Sequence, residues 1–169
     1  SQLEIAAILL RLGQNDGLAL LQEESRNESV YARRKVAAIF GDAYSKEGST
    51  ILLDMLDDED LGVRRQVIES LGYSHNPAMV PRLQPFLDSE YSLLRNAAVH
   101  AILEIAAPES IPFFRQTALD SQAKAPLRIA AIKALGKTGA EEAITILLEM
   151  LGNVEYEFYH PAAIMALGN

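Results

Sequence analysis

The chain has 169 residues, about half of them apolar, with 15 Lys and Arg against 23 Asp and Glu, a net charge of −8 and no cysteine. That composition predicts one folded domain and excludes disulfides, thiolate metal sites and Cys nucleophiles. It also argues against a nucleic-acid partner, because affinity for phosphate backbones comes mainly from Lys and Arg.

The longest apolar runs, such as "IAAILL" from Ile5, fall far short of the ~18–20 residues of a membrane span, so no membrane insertion is expected. No secretory leader with a basic start is visible, and the lack of cysteine fits a reducing, cytoplasmic location. The chain opens at Ser1 without Met and ends on "AAIMALGN", which reads as a piece of a longer protein.

From the N-terminus onward the apolar pattern has a helical period. "IAAILLRLG" from Ile5 is the first helix and "GLALLQEES" from Gly17 the second. From there the pattern recurs. A stop slot is occupied by Gly41, Gly72, Leu103, Gly136 and Gly168, spaced 31 to 33 residues apart. Eight residues before it stand Arg33, Arg64, Arg95, Arg128 and, in the last copy, His160. Five before it stand Val36, Val67, Ala98, Ala131 and Ala163, and one before it Phe40, Leu71, Ile102, Leu135 and Leu167. These offsets share one stripe of a 3.6-residue helix. Gly closes each stripe as a left-handed C-cap would; Leu103 breaks the rule, so its helix is expected to run on about another turn through "EIAA".

A second helix follows each stop, in "GSTILLDML" from Gly48, "MVPRLQPFL" from Met79, "SIPFFRQTA" from Ser110 and "AITILLEML" from Ala143. Pro77 and Pro108 stand where such helices begin, Pro81 and Pro112 early within them, and Pro85 deep enough to bend or shorten its helix. The repeats are placed at about 1–28, 29–60, 61–90, 91–123 and 124–153, with a half-repeat at 154–169. The fold class expected is all-α, a solenoid of stacked antiparallel helix pairs sharing one continuous core.

The punctuation in "LRIAAIKALGKTGAEEAITILLEML" from Leu127 and "DDEDLGVRRQVIESLG" from Asp57 resembles the HEAT-repeat family, in its short phycobilisome-lyase HEAT-like form. The resemblance covers nearly the whole chain. It is least faithful at the start, where Ile5 falls in the Arg slot if Gly13 marks the stop. It implies a right-handed superhelix with the Arg-bearing helices outside and the second helices lining a concave groove. It leaves function open, because one scaffold hosts unrelated tasks. A related family, the deoxyhypusine hydroxylases, carries iron on His-Glu dipeptides. The dipeptide does not occur here, where His75, His100 and His160 precede Asn, Ala and Pro.

Asp57, Asp88 and Asp120 precede Arg64, Arg95 and Arg128 by seven or eight residues, and Arg33 belongs to the same column. An Asp–Arg ladder tying neighbouring repeats is the expectation. The acidic run "DMLDDED" from Asp54 reads as a solvated loop or, less simply, a docking patch for a basic partner. No two histidines stand at i, i+3 or i, i+4 spacing, and neither a phosphate loop nor a nucleophile elbow is present. No metal, cofactor or catalytic residue is assigned.

On the second helices, the slots facing away from the core hold Gln22, Glu23, Leu53, Asp54, Gln84, Pro85, Arg115, Gln116, Leu148 and Glu149. They form either a partner-binding groove or a solvated face. In "VEYEFYHPAAIMALG" from Val154, the aromatics Tyr156, Phe158 and Tyr159 either cover the preceding repeat or form a contact surface. The function expected is a scaffold binding a partner protein along the groove. The alternative, implied by the family, is a bilin lyase subunit or a related chromophore-handling protein. Self-association through the uncapped C-terminal half-repeat is a further expectation.

Overall fold

The computed structural model describes residues 2–43 and 45–168, and among them all regular structure is helical. The helices are α1 (Gln2–Arg11), α2 (Asn15–Glu24), α3 (Val30–Asp42), α4 (Lys46–Asp54), α5 (Leu61–Gly72), α6 (Val80–Leu83), α7 (Ser92–Ile105), α8 (Ile111–Leu119), α9 (Ala125–Thr138), α10 (Glu141–Leu151) and α11 (His160–Leu167). Each odd-numbered helix from α3 to α9 packs on the next odd-numbered one. The even-numbered helices flank this row, giving a solenoid of stacked antiparallel pairs. No single described helix is long and apolar enough to cross a membrane.

Local chemistry sets the helix ends. The side chains of Ser45 and Asp60 accept hydrogen bonds from the Gly48 and Val63 amides, at 2.9 and 3.0 Å, satisfying donors that the first turn leaves open. Pro77 and Pro108 open short 3₁₀ turns ahead of α6 and α8. Pro85, which has no N–H to continue an α-helix, limits α6 to four residues, and the chain continues as a 3₁₀ turn over Gln84–Asp88. Helix α7 stops at Ile105, short of the extra turn expected. Pro108 disfavours helical backbone at Ala107, which is extended along with Ala106.

The core follows the predicted columns except at their end, where Leu167 is half-buried. Phe40, Leu71, Ile102 and Leu135 are fully buried, as are Val36, Val67, Ala98 and Ala163, with Ala131 nearly so. The glycines serve a different purpose from the one expected. Gly41 and Gly136 lie inside α3 and α9, and Gly72 is the last residue of α5, whereas positive φ occurs at Gly13, Gly139 and His75. A Cβ on Gly72 would stand 2.7 Å from the Ala101 Cα. One on Gly41 would stand 2.7 Å from the Ser70 Oγ, and one on Gly136 would stand 2.5 Å from the Ala166 carbonyl oxygen. The column is therefore a seam where α3 and α5, α5 and α7, and α9 and α11 approach almost backbone to backbone. Ion pairs mark its register: Arg11–Asp42 at 3.9 Å and Glu104–Lys137 at 2.9 Å join residues one position after the slot. By that register Leu10, and not Gly13, holds the slot in α1.

The even-numbered helices touch one another far less than the odd-numbered helices do. A cleft of about 150 Å³ opens between α2 and α4, lined by Gln22, Arg26 and Asp54, and one of about 340 Å³ between α6 and α8, lined by Gln84, Phe113 and Gln116. Two layers of unequal spacing bend toward the tighter one. The Arg-bearing helices thus form the inner side of the curve, the reverse of the expected assignment. At the C-terminal end, α11 packs on both α9 and α10, so residues 154–168 are integrated into the stack.

The Arg column ties repeats together, but largely through carbonyls rather than the expected aspartates. Arg33 is buried and forks onto Asp58, with Nε donating to Oδ2 at 2.7 Å and Nη2 to Oδ1 at 3.0 Å; Nη1 donates to the carbonyls of Asn27 and Glu28. Hydrogen bonding to Asp58 leads in holding its guanidinium pKa above the usual value, helped by the Asp58, Glu59 and Asp60 charges and opposed by burial. Arg95 donates to the Ser89 and Glu90 carbonyls, and Arg128 to that of Ala118. Arg64 lies over the Tyr91 ring, 5.8 Å from its centroid, and its buried Nε has no hydrogen-bond partner among the described residues. His160 repeats the carbonyl tie through Nε2, which carries the proton toward Met150 and Asn153. Among the predicted acids, Asp88 pairs with Lys124 at 2.7 Å, Asp120 accepts from the Gln122 amide, and Asp57 is exposed and forms no ion pair among the described residues. The acid that Arg33 engages is one residue further on than Asp57, because Asp58 also accepts the Asp60 amide and so turns toward the helix start.

Candidate interaction surface

The structure separates the residues predicted for a groove into several places. Gln22 and Asp54 face one another across the α2–α4 cleft, and Gln84 and Gln116 across the α6–α8 cleft. Glu23, Arg115 and Glu149 are exposed on the same outer layer. Leu148 is also exposed, whereas Leu53 is half-buried against the core and is not the exposed leucine expected. Pro85 is exposed in the 3₁₀ turn after α6. The outer layer therefore presents two separate polar clefts between helices.

The aromatic segment divides in the same way. Tyr159 is buried, with the Arg128 guanidinium 4.1 Å above its ring centroid, and the half-buried Tyr156 lies 5.7 Å from the same guanidinium. Phe158 meets Tyr159 edge to face at 5.0 Å, yet is 73% exposed. Two of these rings thus complete the packing around Arg128, and the third faces solvent with Val154. The longer loop before α9 brings Lys124 onto Asp88.

The inner face, unassigned from sequence, carries Tyr31, Arg34, Lys35 and Gln66 around a depression of about 330 Å³ between α3 and α5. A second one, of about 320 Å³, is lined by Leu103, Lys133, Lys137, Met165 and Ala166. The spacing of i, i+3 and i+7 from Tyr31 through Arg34 to Ala38 was the available signal, once the inner layer is known. His100 is exposed on α7, and the His75 Nδ1 bonds the Glu104 carbonyl at 2.8 Å. Among the described residues no three His, Asp or Glu side chains converge as metal ligands would.

The pattern of HEAT repeats matches residues 18–103 and again 92–168. The chain belongs to the HEAT-repeat family. No curated protein sequence matches it. Among solved structures, the HEAT stack is similar to the complex of CpcE and CpcF of phycocyanin lyase from Nostoc sp. PCC7120, at 18% identity and a TM-score of 0.55. That likeness covers 90% of this chain and 65% of that one, so this chain spans just under two thirds of its relative's length. It is also similar to human deoxyhypusine hydroxylase in complex with glycerol, at 20% identity and a TM-score of 0.50, covering 96% of this chain and 69% of that one. An engineered protein matches at 16% identity and a TM-score of 0.51, covering 99% of this chain and 87% of that one. At these identities the likeness is one of fold.

Proposed function

We propose that this HEAT stack acts by binding another protein and, more specifically, that it is a subunit of a chromophore-handling assembly of the kind CpcE and CpcF form. The observation that carries the proposal is the likeness to the CpcE–CpcF complex over 90% of the chain. The repeat architecture supports the broader part, since stacked pairs offer long continuous surfaces and hold side chains at a fixed pitch. A second reading, a protein scaffold with no chromophore, is supported by the polar clefts of the outer layer, where Gln22, Asp54, Gln84 and Gln116 would meet a partner.

The experiment mixes the purified chain with a bilin and apo-phycocyanin, alone and together with CpcE or CpcF. Absorbance and covalent chromophore attachment are followed. Bilin binding or accelerated attachment in any pairing is the expected result. No chromophore response, with a stable protein complex on sizing, would replace the assembly reading with the plain scaffold. Neither response would remove both.

A further inference from the structure

The charges of this chain are sorted by layer. The odd-numbered helices hold ten of its fifteen Lys and Arg residues but only four of its twenty-three Asp and Glu. The net charge of −8 thus conceals a cationic inner layer and an anionic remainder. Arg33, Arg64, Arg95 and Arg128 are engaged in the ties between repeats. The other six bases, Arg11, Arg34, Lys35, Arg65, Lys133 and Lys137, belong to the inner face. Three of them meet acids of the same layer, in Arg11–Asp42, Arg65–Glu69 and Lys137–Glu104. Arg34 and Lys133 form no ion pair among the described residues.

Apolar contact area accompanies these charges. Tyr31 is 69% exposed and Tyr73 51%, at opposite ends of α3 and α5. The second depression, beside Lys133, is lined mainly by Leu103, Met165 and Ala166. Aromatic side chains of this kind offer large contact area for little lost side-chain freedom.

We infer that the inner face of the odd-numbered helices binds an extended acidic segment of a partner protein, with carboxylates opposite Arg34 and Lys133 and apolar side chains in the two depressions. The Arg34 guanidinium offers a planar fork that matches a carboxylate, and Lys133 a point charge. From α3 to α9 is three helix spacings of roughly 8–10 Å, a distance that roughly nine extended residues cover at ~3.3 Å each. A polypeptide can place its acids opposite these bases and its neutral residues opposite Asp42, Glu69 and Glu104. A nucleic acid, with phosphates at every step, would run into those acids and into the anionic field of the rest of the chain.

The inference rests on the protein-binding part of the proposed function and is independent of the chromophore. Its test uses a labelled peptide of about 12 residues combining Glu with Leu and Tyr, a counterpart with Lys in place of Glu, and a single-stranded oligonucleotide of similar reach. Binding is read by fluorescence anisotropy at two salt concentrations. The acidic peptide is expected to bind, more weakly as salt rises. The pair Arg34→Glu with Lys133→Glu is expected to weaken it by about tenfold or more, and Arg115→Glu on α8 to leave it unchanged. Circular dichroism checks that the helices persist, and Arg34→Gln with Lys133→Gln must shift affinity in the same direction. Equal affinity in the variants, preference for the Lys peptide, or oligonucleotide binding of similar strength through Arg34 and Lys133 would each overturn the inference. A protein complex that survives Arg34→Glu with Lys133→Glu would sink the inner face and leave protein binding itself intact.

Discussion

Replacing Gly72 by alanine tests the seam between odd-numbered helices through the sign of a single stability change. Alanine is the better helix former, by about 1 kcal/mol in a helix interior, and less at the end of α5 where Gly72 sits. Packing opposes that gain. The new methyl would lie 2.7 Å from the Ala101 Cα, 2.9 Å from its Cβ and 3.2 Å from its carbonyl oxygen. The nearest atom is backbone, so no rotamer change relieves the contact, and α5 and α7 must part by several tenths of an ångström. Both are held by neighbours on their far sides, α3 and α9. Overpacking of this kind costs about 1–3 kcal/mol, which leaves a net loss of about 1–2 kcal/mol. That corresponds to a fall in Tm of roughly 2–8 °C for a chain of this size. Urea and thermal unfolding followed by circular dichroism would measure it. Gly168→Ala is the internal control, because its nearest neighbours are carbonyls of its own helix at 3.7 Å, and its effect is expected to be within about 0.5 kcal/mol of zero. A Gly72→Ala protein as stable as the parent, or more so, would refute the close-approach argument.

Other outcomes follow from the ties. Arg33→Ala leaves the nearly buried Asp58 without its fork and is expected to lower stability by about 3–5 kcal/mol, whereas Arg95→Ala, which removes bonds to two part-exposed carbonyls, lowers it by about 1 kcal/mol; chemical denaturation of the two variants side by side checks the ratio. Tyr159→Ala is expected to destabilise by about 3 kcal/mol through lost packing on Arg128. Phe158→Ser, at a largely exposed ring, should leave the unfolding midpoint nearly unchanged. Lys124→Ala removes an exposed pair with Asp88 worth about 0.2–1 kcal/mol, and the difference from the parent should shrink in high salt.

The helical repeat and its core were legible because apolar residues recur at a fixed pitch, and a column such as Phe40, Leu71, Ile102 and Leu135 has one physical meaning, burial. The glycine column had two meanings. A glycine after an apolar run suits either a left-handed cap or a close crossing, and only the position of Ser70, Ala101 and Ala166 on the facing helix decides between them. The aspartates misled for a related reason. Spacing along the chain placed Asp57, Asp88 and Asp120 near the Arg slots, but carbonyls are invisible in a residue pattern, and the carbonyls of Ser89, Glu90 and Ala118 are what Arg95 and Arg128 reach. The second helices were assigned to the concave side for want of one quantity, the relative spacing of the two helix layers. That quantity follows from side-chain size across neighbouring repeats rather than from any single motif.

The glycine seam also governs how the stack deforms. With Gly41, Gly72 and Gly136 pressed against their neighbours, the inner row behaves as a spine that resists compression, while the clefts between the outer helices leave room on the other side. The stack therefore straightens by closing the outer clefts and curls tighter by opening them, bending like a strip hinged along its inner edge.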